Sequence, residues 1–501
     1  MRGRHDPRGS RPPRRAPPAS KGDGETLGVV GLGHVGLATA VAFARRGREV
    51  WGFEVDPERA RGLQEGRPWF AEEGLPESLA QCLRSGRLHV TADRGELLSH
   101  AQVIFLCLTT PSRPDGSVDT RFLEEECGRL GTHLRDEPGV RTFVVKSTAP
   151  PGTAEQLAIR LEKASGRARG TIPVAVNPEF LAEGSLLKDA LNPSRIVVGA
   201  EDPVVGARVL SAYRGFPGER VLLTSSEAAL VKYASNALLA LKISFANELA
   251  PLAERAGADV YRVLQVVGQD PRLGPHFLRA GPGFGGSCFT KDLRGLQAFA
   301  RDRGLSLPLV AGALEVNARQ ARHVVDLLEG ALGLLAGRTV ALLGLAFKAG
   351  TDDVRDSRAY PILGELLKRG ARVRLHDPVA TENFRRELPT LIAHGGGDSV
   401  SFCGSLSEAL SSSEAALLQA DWPEYRDAPA ELWQLLGARL VVDARRSVDE
   451  ERLRAAGIRY RALGRDPSWE SGPPGTRARV PGPRFRRKAS NRTPRPSSPN
   501  P

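Results

Sequence analysis

The spacing of apolar residues along the chain predicts three regions of different structure. Between residues 27 and 213, short runs that are apolar at nearly every position alternate with segments of helical composition. Such runs are typical of parallel strands that helices cover on both faces. The pattern therefore predicts an α/β domain with a parallel sheet over residues 27–213. The strand-like runs lie at residues 27–30, 50–54, 103–108, 142–146, 173–176 and 195–198.

The middle region, residues 214–330, has apolar residues at helical spacing instead. Residues 225–267 are predicted to be helical with an interruption at Pro251, because proline lacks a backbone donor. A further helix is predicted from Pro308 into the 330s. The apolar face of the first helical stretch is broad, which predicts burial against a second subunit, and the alternative is that it packs only within its own chain. Its apolar residues are Ala228, Leu230, Val231, Leu238, Leu241, Phe245 and Leu249.

The alternation of strands and helices restarts in residues 331–463, where the first strand-like run ends in Gly344. The chain is therefore predicted to be an α/β protein, with two Rossmann-like, doubly wound domains joined by a helical middle domain. Ligands are expected between the domains, at the carboxyl ends of the strands. The later strand-like runs lie at residues 338–344, 371–377, 415–419 and 439–443.

The two ends of the chain, residues 1–26 and 464–501, are predicted to be disordered basic tails. They are rich in Pro, Gly, Ser and Arg and lack apolar periodicity. The net charge of +12 resides in them, so the near-neutral body predicts no specific nucleic-acid partner. Weak contact of the tails with an anionic surface stays open.

Composition narrows the cellular setting. No apolar run approaches the ~18 residues of a membrane span, and the first residues lack a hydrophobic signal core. The five cysteines show no C-x-x-C spacing, so neither a metal site nor a disulfide framework is indicated. We expect a cytoplasmic protein that needs no metal.

A dinucleotide site is predicted at the first strand, which runs directly into a G-x-G-x-x-G turn and a helix. The glycines, Gly31, Gly33 and Gly36, let the turn approach a pyrophosphate that faces the helix N-terminus. Glu54 ends the next strand and can accept from both ribose hydroxyls. Its charge would repel the 2′-phosphate of NADP, so the expected cofactor is NAD.

A second glycine-rich loop, residues 281–292, carries Cys288 followed by Lys291 and Asp292. Such a loop allows close approach of a ligand to the backbone and places a thiol at a sharp turn. The alternative is a turn that carries a cysteine by chance. Lysine is rare here, with ten lysines against sixty arginines, and Lys232, Lys291 and Lys348 all lie in motifs.

Further polar residues lie in motifs that are suited to catalysis beside Cys288. Lys232 and Asn236 are four residues apart on a predicted helix, where they form either an oxyanion-stabilising pair or a solvated face. Glu179 and Glu183 follow one strand, and Thr148 follows another. A cysteine beside a dinucleotide site is useful when an aldehyde must be trapped as a thiohemiacetal and oxidised again to a thioester.

The ordered set of motifs resembles the UDP-glucose/GDP-mannose dehydrogenase family over residues 27–463. The matching motifs are GLGHVG, TTPSRPDGSVD, KSTAPPGT, NPEFLAEG, E-x4-K-x3-N, GPGFGGSCFTKD, LLGLAFKAGTDDVRDS and DARR. The resemblance implies four-electron oxidation of the C6 hydroxyl of a nucleotide sugar. The branch that acts on UDP-glucose is favoured, while UDP-N-acetylhexosamines and GDP-mannose remain alternatives.

The resemblance also implies residue roles. Cys288 is the nucleophile, Lys232 and Asn236 stabilise the oxyanion, and Asp292 assists proton transfer. Glu179 activates water, which Thr148 positions, and Arg272 reaches the sugar of a neighbouring subunit in a homodimer or larger oligomer. The implied NAD contacts are Gly31, Gly33, His34, Val35, Gly36, Glu54, Arg59, Thr110, Thr148, Glu183, Lys291 and Arg355. The implied substrate contacts are Glu179, Phe180, Leu181, Glu183, Lys232, Asn236, Arg272, Phe284, Gly285, Phe347, Lys348 and Arg445.

Three departures from the family pattern stand out. Glu54 replaces the usual aspartate, Thr290 replaces a frequent proline, and the basic tails have no counterpart. One alternative within the enzymes is a 3-hydroxyacyl or 6-phosphogluconate type of dehydrogenase, which would need neither Cys288 nor a second Rossmann-like domain. Another alternative is a scaffold protein that has kept the fold without its activity.

Overall fold

The N-terminal part of the chain forms an eight-stranded sheet, in a computed structural model that describes residues 24–135, 137, 139–388 and 399–466. The strand order is β3-β2-β1-β4-β5-β6-β7-β8. The strands are β1 (Leu27–Val30), β2 (Val50–Phe53), β3 (Leu88–Thr91), β4 (Val103–Leu106), β5 (Thr142–Val145), β6 (Val174–Val176), β7 (Arg195–Gly199) and β8 (Glu219–Leu223).

Helices cover both faces of this sheet, and each face has its own apolar cluster of buried residues. The near-continuous apolar runs of the sequence follow from this double covering. The helices are α1 (His34–Arg45), α2 (Pro57–Gln64), α3 (Leu75–Arg84), α4 (Arg94–His100), α5 (Arg121–His133), α6 (Thr153–Ser165), α7 (Leu186–Leu191) and α8 (Pro203–Ala212).

Two strands, β7 and β8, run against the prediction of an all-parallel sheet. β1 to β6 pair in parallel, but β7 meets β6 antiparallel through Val176 and Gly199, and β8 then pairs with β7 in parallel. An apolar run reports burial on both faces and carries no information on strand direction. The segment between β6 and β7 contains one helix, the six-residue α7.

Four helices make up the middle of the chain: α9 (Ser225–Arg255), α10 (Val260–Val267), α11 (Phe289–Arg301) and α12 (Pro308–Leu332). The predicted interruption at Pro251 is wrong, because α9 continues through it to Arg255. Pro251 lies in the last turns of a 31-residue helix, where the missing hydrogen bond does not break the whole element. At the other end, Thr224 and Glu227 form a reciprocal capping box.

The C-terminal part forms a six-stranded parallel sheet in the order β11-β10-β9-β12-β13-β14. Together with the first sheet and the helical middle, it confirms the predicted fold class. Its strands are β9 (Thr339–Leu343), β10 (Arg372–His376), β11 (Val400–Phe402), β12 (Ala415–Leu418), β13 (Leu440–Asp443) and β14 (Arg459–Ala462). Its helices are α13 (Ala359–Lys368), α14 (Thr381–Glu387), α15 (Leu406–Ser411), α16 (Pro423–Asp427), α17 (Ala430–Trp433) and α18 (Glu450–Ala455).

Most of the two predicted tails, residues 1–23 and 467–501, lies outside the described residues. The remaining tail residues contact the body of the protein. The Thr26 amide donates to Gln102 Oε1 at 2.9 Å, and the Gly464 amide donates to Glu254 Oε1 at 2.8 Å. Within the described ranges, no helix has the length and apolar character to cross a membrane.

Candidate active site

The turn between β1 and α1 has the shape of a phosphate cradle. Gly31 has φ of +87°, a conformation that favours glycine. A Cβ on Gly36 would collide with the Gly31 carbonyl, whereas a Cβ on Gly33 would meet nothing within 4 Å. No side chain caps the N-terminus of α1, so its first amides are available to an anion. These residues fit the pyrophosphate of a dinucleotide.

Glu54 lies buried at the end of β2, where its Oε2 accepts from the Leu32 amide at 3.2 Å. Its Oε1 accepts from the Asp56 amide, also at 3.2 Å. These bonds fix the carboxylate beside the glycine turn, and its remaining lone pairs stay available to ribose hydroxyls. Arg59 begins the adjacent helix α2 and stacks over the ring of Trp69 at 4.6 Å.

Trp69 is a member of this site that the sequence reasoning missed. Its indole donates to the Leu32 carbonyl at 3.2 Å, and its ring lies 4.8 Å from that of His34. Burial, together with the charge of Arg355, lowers the pKa of His34 to about 4, so this imidazole is neutral at physiological pH. The only available signal was an aromatic pair in the polar segment before α3.

The strands β4 and β5 each end in a loop that carries a predicted threonine. Thr110 Oγ1 donates to the Thr148 carbonyl at 2.8 Å, which joins the two loops at the carboxyl edge of the sheet. The predicted edge residues therefore lie together, as the parallel topology of β1 to β6 requires.

The predicted catalytic residues meet at the first half of α9. Lys232 Nζ donates to Glu179 Oε1 at 2.7 Å, and Asn236 Nδ2 donates to Asp292 Oδ2 at 2.6 Å. All four residues are buried. The helix face at Lys232 and Asn236 is therefore not a solvated surface. It joins the loop after β6 to the first turn of α11, where Lys291 Nζ also donates to Asp292 Oδ1 at 2.6 Å.

Charge pairing sets the protonation of this cluster. Burial by itself lowers the pKa of Lys232, but the carboxylates of Glu179 and Asp292 outweigh it and raise the pKa above its ordinary value. Burial likewise raises the pKa of Glu179, but the Lys232 ammonium outweighs it and the net shift is downward. Lys232 is thus a permanent cation at neutral pH and Glu179 a carboxylate.

Cys288 lies at the N-cap of α11. Its thiol is accessible to solvent yet densely surrounded by protein, and Ser287 Oγ lies 3.6 Å from its Sγ. Burial raises the pKa of the thiol, and the Glu179 carboxylate adds to this effect more than the Lys232 ammonium offsets it. The Lys232 ammonium by itself lowers the pKa of this thiol, but burial and the carboxylates of Glu179 and Asp292, which also hold Lys232, outweigh it.

A second charged cluster joins the N-terminal and C-terminal parts of the chain. Arg355 pairs with Asp353 at 2.5 Å and with Glu183 Oε1 at 3.2 Å. Ser287, next to the cysteine, donates to the same Glu183 oxygen at 3.3 Å. Burial, with Asp353 beside it, raises the pKa of Glu183 to about 8. Asp353, which the sequence reasoning missed, lies in the segment between β9 and α13.

Two predicted substrate residues from the C-terminal part are cations. Among the described residues, neither Lys348 nor Arg445 makes an ion pair within 4 Å. Arg445 Nε donates instead to the Gln419 carbonyl at 2.7 Å. Burial lowers the pKa of Arg445 and also that of Lys348. Two half-buried cations that have no ion-pair partner among the described residues are suited to a diphosphate.

The glycine-rich loop packs against this cationic region. A Cβ on Gly285 would collide with the Asp356 carbonyl, and one on Gly286 would meet the Phe347 ring at 2.8 Å. The Phe284 amide donates to Asn317 Oδ1 at 2.7 Å. Asn317, on α12, is a third residue that the sequence reasoning missed. The glycines therefore permit close packing of the cysteine loop on the C-terminal part.

The loop after β6 places Phe180 and Leu181 beside the catalytic cluster. The Leu181 amide donates to Glu179 Oε2 at 2.6 Å, so the loop itself holds the carboxylate. The Arg195 guanidinium stacks over the Phe180 ring at 3.9 Å.

Arg272 is the one predicted site residue that lies apart from the others. Its side chain is 87% exposed and pairs with Asp270 at 2.6 Å. The apolar face of α9 is also narrower than the sequence indicated, because Leu241 and Leu249 pack within their own chain. Leu238, Phe245 and Leu252 remain exposed, at 61%, 48% and 60%.

Comparison with known proteins assigns this architecture. Three domains of the UDP-glucose/GDP-mannose dehydrogenase family match in chain order: the NAD binding domain at residues 25–217, the central domain at 226–319 and the UDP binding domain at 341–450. The chain belongs to the UDP-glucose/GDP-mannose dehydrogenase family. The predicted cofactor, NAD, is confirmed by the first of these domains.

Curated relatives span nearly the same length. The chain is similar to the UDP-glucose 6-dehydrogenase of Pseudomonas aeruginosa, with 39% identity over 448 residues, 88% of this chain and 97% of that one. It is 34% identical over 440 residues to a UDP-glucose 6-dehydrogenase of Bacillus subtilis, covering 88% and 93%. The family member described here is an NAD-dependent nucleotide-sugar 6-dehydrogenase.

Solved structures agree. A UDP-glucose dehydrogenase from Pyrobaculum islandicum superposes with a TM-score of 0.81 at 41% identity, covering 90% of this chain and all of that one. A UDP-D-ManNAc dehydrogenase from Pyrococcus horikoshii gives 0.75 at 28% identity, covering 88% and 99%. The alternatives of a hydroxyacyl or 6-phosphogluconate type of dehydrogenase and of an inactive scaffold are not favoured.

Proposed function

We propose that the enzyme oxidises UDP-glucose to UDP-glucuronate through a covalent adduct on Cys288. The choice of UDP-glucose rests on the names of the curated relatives described above and on the 41% identity to a solved UDP-glucose dehydrogenase. The covalent route rests on one observation. Cys288 lies at the N-cap of α11, beside the buried pairs of Lys232 with Glu179 and of Asn236 with Asp292.

The substrate lies between the two sheets in this proposal. Lys348 and Arg445 hold its diphosphate, while Phe284, Gly285 and Phe347 line the sugar end. Bound NAD supplies the oxidant, by accepting a hydride from the sugar carbon in each of two oxidations. Glu54, Arg59 and the first turn of α1 hold its adenosine and pyrophosphate, and Thr110, Lys291 and Arg355 line the remainder of its cleft.

In the first oxidation the C6 hydroxyl loses a proton as its carbon loses a hydride, which gives an aldehyde. Lys232 and Asn236 direct N–H donors towards the oxygen that carries the developing charge. The raised pKa of Lys232 suits it to donation. The released proton leaves through water held by Asp292.

Addition of Cys288 to the aldehyde requires no free thiolate. The sulfur forms a bond to C6, the carbonyl π bond breaks, and the thiol proton is transferred to the carbonyl oxygen, so the thiohemiacetal retains every proton. The raised pKa of the Cys288 thiol is compatible with this step. A second loss of a hydride and a proton gives the thioester.

Hydrolysis ends the cycle. Glu179, a carboxylate at neutral pH, accepts a proton from water as the water oxygen attacks the thioester carbon. The carbon–sulfur bond breaks, Cys288 regains a proton and the uronate leaves. Thr148 positions this water.

Replacement of Cys288 by alanine tests the covalent route. The variant is expected to bind NAD normally, to form no uronate and to show no sugar adduct by intact mass spectrometry. Wild-type enzyme should form two NADH per UDP-glucose consumed, and a panel with UDP-N-acetylglucosamine and GDP-mannose tests the sugar. Near-normal turnover of Cys288→Ala with two NADH per sugar would refute the assignment.

We further propose that the enzyme works as a homodimer or larger homo-oligomer. The exposed Leu238, Phe245 and Leu252 are spaced seven residues apart and so form one stripe along α9. The Arg272 side chain, which pairs with Asp270, is 87% exposed and therefore accessible to a neighbouring subunit. Mixing inactive Cys288→Ala with inactive Arg272→Ala should restore part of the activity, because some hybrids own one complete site. A fully active monomer by light scattering would refute the proposal.

A further inference from the structure

A cavity of about 210 Å³ lies behind the loop that carries Glu179, between α1, α7, the segment that follows α8 and the start of β7. Its lining includes the exposed Asn192 and Ser194 at one end and the buried Lys146, Asn177 and Tyr213 at the other. In this measure a single water needs about 10–15 Å³. The cavity therefore has room for several waters and reaches from the surface to the interior.

The inner end of the cavity is polar. Lys146 Nζ donates to Asn177 Oδ1 at 3.1 Å and to the Tyr213 hydroxyl at 3.2 Å, and that hydroxyl donates to the same Asn177 oxygen at 2.5 Å. An ammonium has three donors, and these contacts use two of them. Lys146 has no ion pair within 4 Å among the described residues. A buried cation with a spare donor at a cavity wall is a natural anchor for water.

Glu179 connects this cavity to the catalytic cluster. Of the six residues proposed as catalytic, Glu179 alone appears among the described lining residues. The charge of Lys146 helps to lower the pKa of Glu179, so the two groups are electrostatic neighbours. On its other side Glu179 pairs with Lys232 and acts on the Cys288 thiol. The carboxylate thus lies between the cavity and the sulfur.

Hydrolysis of the thioester needs a water that reaches Cys288 and Glu179 from a side that neither the nucleotide sugar nor NAD covers. The nucleotide sugar and NAD must both reach the surroundings of Cys288, and their binding expels water from that face. We propose that the cavity is a hydrated channel that delivers the hydrolytic water to Glu179 and takes away the proton that Glu179 accepts. This inference rests on the proposed function, since it assigns a route to its last step.

The step balances without any further reactant. The water oxygen bonds to the thioester carbon, and the carbon–sulfur bond breaks. One water proton passes to Glu179 and then to water in the cavity, and the sulfur of Cys288 takes up the other. Lys146 is a positioning residue here, because it acts through the bound water and through the charge of Glu179.

Filling the cavity tests the route. Ala42 on α1 and Ala190 on α7 both line it, and Ala42→Leu and Ala190→Leu add three carbons each to the space. We expect a fall of at least about tenfold in steady-state turnover, a rapid burst of two NADH per site, and a UDP-glucuronyl adduct on Cys288 by intact mass spectrometry. The KM for NAD should stay the same.

Controls separate the possible failures. Thr39→Val preserves volume on the same helix, and the Thr39 hydroxyl has no partner among the described residues, so wild-type rates are expected. If both filling variants fail to fold, Lys146→Met should produce the same adduct and shift the acidic limb of the hydrolysis rate to higher pH. If the filling variants fold and show normal turnover with no adduct, the proposed water route is wrong. If they do not fold, the same result for Lys146→Met would overturn it. Glu179→Gln serves as a reference variant, because it removes the proposed base of hydrolysis and should accumulate the adduct on Cys288. If this variant shows no adduct, the proposed mechanism itself is refuted, and not only the water route.

Discussion

Replacement of Lys232 by methionine is expected to damage stability and activity for different reasons. The Lys232 side chain is 5% exposed and lies 2.7 Å from Glu179, which is 8% exposed. Methionine fills similar space but leaves the carboxylate buried without its cation. Removal of one partner from a buried ion pair lowers the free energy of unfolding by about 3–5 kcal/mol. Loss of one donor to a developing oxyanion lowers turnover by roughly 100-fold to 1,000-fold.

The sign of the pH dependence follows from the pKa of Glu179. In the wild type this pKa is depressed, so the pair stabilises the fold at neutral pH and loses that contribution as the pH falls through the folded-state value. In Lys232→Met, burial of Glu179 still raises its pKa, and only weaker effects such as the charge of Lys146 oppose that rise. The pKa of Glu179 should therefore be higher in the variant than in the wild type. The stability deficit of the variant should then be largest near pH 8 and smaller near pH 5.

Chemical and thermal unfolding of the two proteins across this pH range measures the deficit. The double variant Lys232→Met with Glu179→Gln is the matched control, because it removes the stranded charge. It should recover much of the lost stability at pH 8 and none of the activity. An equal deficit at pH 5 and pH 8, or a double variant no more stable than the single one, would refute the buried-pair argument. Turnover above a tenth of wild type would refute the oxyanion role.

Two further outcomes are expected at the cofactor site. Glu54 should favour NAD over NADP by about 2 kcal/mol, the strength of a charge-assisted hydrogen bond. Glu54→Gln should therefore lower the ratio of kcat/KM with NAD to kcat/KM with NADP. Equal kcat/KM with the two cofactors in the wild type would contradict this prediction. Because the pKa of Glu183 is raised to about 8, this group gains its charge as the pH rises through that value. The KM for NAD should therefore rise above pH 8 in the wild type but not in Glu183→Gln, and coincident profiles would exclude Glu183 as the cause.

The elements that the sequence predicted well were those with strong local signals. Ten of the fourteen described strands, the glycine turn at Gly31 and the long helices follow from periodicity and turn residues alone, whereas β3, β8, β11 and β14 were not predicted. The contact of Lys232 with Glu179 could be anticipated only through the family resemblance, since 53 residues separate the two. Local pattern identifies the groups, and tertiary packing decides what they touch.

The remaining features depend on three-dimensional surroundings. The direction of β7 and the continuation of α9 through Pro251 leave no mark on apolar spacing. The protonation of Cys288 depends on the balance among burial, Glu179 and Lys232, and no single motif contains that balance. Lys146 was within reach, because the rarity of lysine that singled out Lys232 applies equally to the lysine of KSTAPPGT.

Helix α9 has a consequence for how the protein unfolds. At about 1.5 Å per residue its 31 residues span roughly 46 Å, and it buries alanines in three separate apolar clusters. Ala228 and Ala229 belong to a cluster of the N-terminal sheet, Ala237 and Ala240 to the helical middle, and Ala246, Ala250 and Ala253 to the C-terminal sheet. Unfolding of either sheet would remove packing partners from this one helix. Because both sheets share this helix, the enzyme should lose them together, and calorimetry should show one transition rather than separate ones despite the three family domains.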